Sequence, residues 1–73
     1  MTRTESNQIH WIVVCVNEFA KYKGLEVHDA FMYLYQFGGI SFLVEHYDAE
    51  HTLSFNEAVE DLDVICTNKG GSL

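Results

Sequence analysis

Apolar residues recur three and four positions apart along most of this chain, and no proline interrupts them. That spacing places them on one face of a helix with 3.6 residues per turn. The breaks are Gly24, the pair Gly38-Gly39, the polar run Asp48–Ser54, and the closing Lys69-Gly70-Gly71-Ser72. Between them lie four stretches of helical length. The sequence therefore predicts an all-α fold: a small bundle of three longer helices plus one short helix.

The first stretch runs from about Ser6 to Lys23, with Ile9, Ile12, Val13, Val16, Phe19 and Ala20 on one face. Ser6 or Thr4 can cap its start, Lys21 and Lys23 suit the negative end of the dipole, and Gly24 suits a left-handed stop. The β-branched run Trp-Ile-Val-Val-Cys-Val would also suit a strand. The periodic stripe continues through Ala20, beyond ordinary strand length, and this favours helix. The second stretch, about Glu26 to Phe37, carries Val27, Ala30, Phe31 and Leu34 on one face. Met32, Tyr33, Tyr35 and Phe37 make it apolar nearly all round, a pattern that asks for enclosure. A third, short stretch covers about Ser41 to Tyr47, where Ser41 can serve as cap. The fourth opens on Ser54-Phe55-Asn56-Glu57, a Ser-x-x-Glu capping signal, and places Phe55, Val59, Leu62 and Cys66 on one stripe. One domain over 1–73 is expected, with an ordered core of about 6–67 and loose ends at 1–4 and 69–73.

Charge narrows the partners. Eleven Asp and Glu against four Lys and Arg leave a net charge of −7, which repels nucleic acid. The apolar run Trp11–Val16 is far too short to span a bilayer. Cys15 and Cys66, each inside an apolar stretch, read as reduced core thiols of a cytoplasmic protein. A nucleophilic role with His10, His28 or His51 as base would need a positive setting that neither cysteine has locally.

The segment Glu45-His46-Tyr47-Asp48-Ala49-Glu50-His51-Thr52, followed by Val59-Glu60-Asp61-Leu62-Asp63, resembles a family of short bacterial proteins known as domain of unknown function 3791. Its members share a Tyr-Asp-x-x-His-Thr segment followed by a helix with Val-x-Asp-Ile or close variants. The Trp11–Val16 run, Asn17-Glu18 and Lys23–Val27 are similar to the family's first two helices, so the likeness covers about Ile9 to Cys66. Glu50 departs from it, standing where relatives often have an apolar residue, and no glycine follows Thr52. The resemblance implies a small helical protein without established activity. Some members are encoded beside larger proteins resembling ADP-ribosyltransferase toxins, which implies an accessory or antitoxin-like role.

Two constellations are candidates for function. His46, Asp48 and His51 bring imidazoles and a carboxylate within six residues, the ligand types of a divalent metal or of an acid/base pair with Asp48 orienting His51. The spacing matches neither His-Glu-x-x-His nor Cys-x-x-Cys. The structural alternative has Asp48, His51 and Thr52 folding the loop, with His51 buried against a backbone carbonyl. The second constellation is the aromatic excess around the second stretch: Tyr33, Tyr35, Phe37 and Trp11 are the interface candidates, since Tyr and Trp favour interface centres. The acidic row Glu57, Glu60, Asp61 and Asp63 reads as a solvated face or a contact for a basic partner. No catalytic set and no cofactor are expected. The sequence points to a non-enzymatic interaction or regulatory module that meets a protein partner or a second copy of itself, as a homo-oligomer and most simply a dimer. A metal or acid/base site at His46, Asp48 and His51 is the alternative.

Overall fold

A computed structural model describes residues 2–73, the Thr4 side chain excepted. The described residues form five helices and no strand: α1 (Arg3–Lys23), α2 (Val27–Gln36), α3 (Gly39–Glu45), α4 (Tyr47–Glu50) and α5 (Phe55–Asn68). The all-α class is as expected. The difference in number comes from α4, a single turn inside the run read as a loop.

α1 begins earlier than its apolar stripe. Thr2, not Ser6 or Thr4, is the cap, and its side chain accepts the Glu5 N–H at 3.2 Å. At the other end Gly24 takes φ 69°, and the Leu25 N–H returns to the Ala20 carbonyl at 2.8 Å. This left-handed stop reverses the chain and drops Leu25 against the core. α5 starts on Ser54, whose hydroxyl accepts the Glu57 N–H and donates to the Glu57 carboxylate, both at 3.2 Å. The carboxylate thus takes the hydroxyl rather than the backbone N–H of the usual capping box. α3 is preceded by Gly38 at φ 81°, so Ser41 is not its cap.

α1 packs against α2, α3 and α5, and α3 lies between α2 and α5. The core they enclose is Trp11, Cys15, Val16, Phe19 and Ala20 of α1, with Ala30, Tyr33 and Leu34 of α2. Leu43 comes from α3, and Ala58, Val59, Leu62 and Cys66 come from α5. Gly39 lets α2, α3 and α5 close together: a Cβ there would stand 2.8 Å from Leu34 Cδ2 and 3.2 Å from Cys66 Sγ. Residues 69–73, expected as a loose tail, turn back onto the body. The Gly71 N–H bonds the Cys66 carbonyl at 2.8 Å, and Gly71 lies against the Tyr33 hydroxyl. Lys23 fastens this end, reaching a main-chain oxygen of Leu73 at 3.0 Å and Asp63 at 2.9 Å. Of the expected loose N-terminal residues, Thr2 caps α1 and Arg3 opens it, while Met1 lies outside the described residues.

Candidate functional site

The His46–Thr52 segment does not assemble a chemical centre. Tyr47 drives its fold: the ring meets Trp11 edge-on, with centroids 5.4 Å apart and planes at 77°. His51 also stacks on Tyr47, 4.4 Å between ring centroids at 11°. Its Nδ1 lies 2.6 Å from the Tyr47 carbonyl oxygen, an atom that only accepts, so Nδ1 carries the ring proton. That nitrogen is tied to the backbone, not to Asp48. Thr52 donates its hydroxyl to the Ala49 carbonyl at 2.7 Å. His51 is exposed, not buried as the loop reading had it, and so are His46 and Asp48. His46 rests on Phe42, 5.0 Å away on the preceding turn. Among the described residues, no group of three or more His, Cys, Asp and Glu is arranged to hold a metal ion.

The acidic row is not one solvated face. Glu57 and Glu60 are exposed, Asp63 pairs with Lys23, and Asp61 faces Glu50. Glu50 is 7% exposed, and its Oε1 has no hydrogen-bond partner among the described residues. Burial pushes its carboxyl up to about 7, helped by a hydrogen bond to the Asp61 carboxylate and by the charges of Asp61 and Glu57. Glu50 was not singled out as a site residue. The available signal was its departure from the family's apolar preference, because the position is a buried one.

Neither cysteine is poised for chemistry. Cys15 and Cys66 are fully buried. Burial, with Glu50 and Glu18 nearby, pushes the Cys15 thiol up to about 12, and burial also raises Cys66. At pH 8 only about one Cys15 thiol in ten thousand would be ionised. A disulfide-exchange reagent at pH 8 is therefore expected to find no fast thiol in the native chain and two after denaturation. One thiol reacting at the rate of a free cysteine in the folded chain would contradict this packing.

The aromatic candidates divide sharply. Trp11 and Tyr33 are 8% and 9% exposed and belong to the chain's own core, so they are not available to a partner. Phe37 is half-buried against Tyr33, 4.9 Å between centroids. Tyr35 is 67% exposed, and its ring lies 6.2 Å from Phe31, itself 41% exposed. Those two rings continue a groove of about 230 Å³ where α1 and α2 meet, lined by Ile12, Val13, Val16, Asn17, Val27, His28 and Phe31. Ile9 and Val13 of α1 and Val27 of α2 are about half exposed beside it. Among the described residues no carboxylate, lysine or arginine lines this groove, although the chain carries eleven Asp and Glu. Val13, Val27 and Phe31 belong to the apolar stripes of α1 and α2, yet the helices cross so that these members are left outside.

The model of the family described as "Protein of unknown function (DUF3791)" matches residues 10–69. The chain belongs to this family. The match takes in α2 to α5 whole and α1 from residue 10 onward, and therefore both the apolar groove and the buried Glu50. No curated protein matches the chain, and no solved structure does. No described helix is long and apolar enough to cross a membrane.

Proposed function

We propose that this protein is a non-enzymatic interaction module of the bacterial cytoplasm, with an accessory or antitoxin-like role, and that it works by presenting the α1/α2 face to another polypeptide. One observation carries the reading: an apolar groove with exposed Phe31 and Tyr35 that keeps every ionised side chain off its lining. Contiguous apolar surface of this kind on a small domain marks contact sites. The net charge of −7 supports a protein partner over nucleic acid. Two buried thiols suit a reducing compartment. The resemblance to proteins encoded beside toxin-like neighbours supports the accessory role.

A photoreactive phenylalanine analogue in place of Phe31, in the full chain in its host cell, tests it. A discrete protein adduct is expected, lost when Val13→Asp is added and absent when the probe replaces Val64 of α5. Equal labelling from positions 31 and 64 would remove the reading.

A further inference from the structure

We propose that the occupant of the α1/α2 face is a second copy of this chain, paired face to face about a two-fold axis. This rests on the preceding reading and names the partner.

The distribution of charge carries it. A partner with a basic rim would call for carboxylates lining the groove, and among the described residues none does, although Glu26 stands at the N-cap of α2 beside Val27. Glu18 lies on the opposite flank of α1, facing α5 with Lys21, Asn56 and Glu60. Asp29 stands two residues from both Val27 and Phe31, which puts it nearly opposite them around α2. Glu50, Glu57 and Asp61 gather at α4 and α5. The polar groups at the groove are Asn17 and His28, and Asn17 already donates its side-chain amide to the Val13 carbonyl at 2.9 Å. For two bodies that each carry −7, pairing is less repulsive through a face whose lining holds no carboxylate than through the acidic α4 and α5 side. That is the face found here, and a two-fold contact needs one patch complementary to itself.

Shape agrees with that occupant, and area sets how tightly it binds. Two neighbouring helices offer a ridge-and-groove surface, and two such surfaces stack as a four-helix layer. The exposed parts of Ile9, Val13, Val27, Phe31 and Tyr35 amount to something on the order of 400 Å² per chain. That is about half of the roughly 800 Å² per partner in a standard stable interface. The pairing is therefore weak, with a dissociation constant on the order of micromolar to tens of micromolar.

Sedimentation velocity and equilibrium on the full chain, from about 1 µM to 1 mM, decide it. The weight-average mass is expected to rise from one chain to two across that range. Phe31→Asp and Val13→Asp, each at a half-exposed site, should weaken association at least 100-fold with an unchanged helical spectrum and melting temperature. Val64→Asp, exposed on α5, should leave it intact. A single-chain mass at 1 mM overturns the proposal, and so does a dimer lost in Val64→Asp but kept in Phe31→Asp. If the mass stays at one chain while the probe at position 31 still captures a different protein, the interaction reading stands without self-pairing. If the mass stays at one chain and the probe captures nothing, both are wrong.

Discussion

A Phe19→Ala chain is expected to melt about 12 °C or more below the parent and to be substantially unfolded at 37 °C. Phe19 has no exposed surface and lies where α1 meets α2, its ring 6.0 Å from Tyr33 in a stacked arrangement and 6.5 Å from Tyr22. Truncating a buried phenylalanine costs about 3–5 kcal/mol, from lost transfer energy and from the cavity left behind. A domain of this length has roughly 4–11 kcal/mol in total, and its small core puts it towards the low end. At about 4–8 °C per kcal/mol for a chain of this size, the loss is most of the thermal margin. Phe19→Leu keeps most of the volume and should lose about 1–2 kcal/mol. Circular-dichroism melts of the three chains separate the outcomes. A drop of under 5 °C for Phe19→Ala would mean that α1 and α2 do not close on this ring.

How much of this was legible depends on where the cause of each element lies. α5 could be read because everything that makes it is local: the Ser54 cap, the Glu57 response and the stripe to Cys66. The Gly24 stop was legible for the same reason. The first turn of α1 was not, since residues 3–7 have no apolar pattern and only the Thr2 cap marks their helix. α4 is a polar turn held by contacts distant in sequence, Tyr47 on Trp11 and Glu50 towards Asp61, and a local pattern cannot show these. The excess of aromatic surface around α2 was visible, but not which rings were spare. Tyr33 and Tyr35, two residues apart, must lie on different sides of the helix. The sequence does not say which side α1 and α5 occupy. Trp11, a natural interface candidate by type, is drawn inside by the same Tyr47 contact that forms α4.

Glu50→Gln should melt well above the parent at pH 8 and close to it at pH 4. The Glu50 carboxyl is held up to about 7 in the fold against an ordinary 4.5. Below pH 4.5 it is protonated whether the chain is folded or not, and its contribution to the fold is fully present. Between 4.5 and 7 the unfolded chain releases the proton while the native chain keeps it, so stability falls as pH rises. Above about 7 both forms are ionised and the loss levels off. The shift corresponds to something like 3 kcal/mol between the two plateaus, and so to about 10–20 °C in melting temperature. Glutamine keeps the shape and can still donate to the Asp61 carboxylate. It needs no proton to do so and adds no charge beside Asp61 and Glu57. The other carboxylates titrate in both chains, so the difference between the two pH curves isolates position 50. The parent has one escape: α4 is a single turn, and it can lift off so that the ionised carboxyl reaches water. Release of α4 would cap the loss in melting temperature, but it would also pull Tyr47 from Trp11, the only tryptophan of the chain. Its fluorescence would then shift to the red between pH 6 and 8 in the parent and stay put in Glu50→Gln. Parallel melting curves together with unchanged fluorescence would mean that the Glu50 carboxyl is not confined against α5.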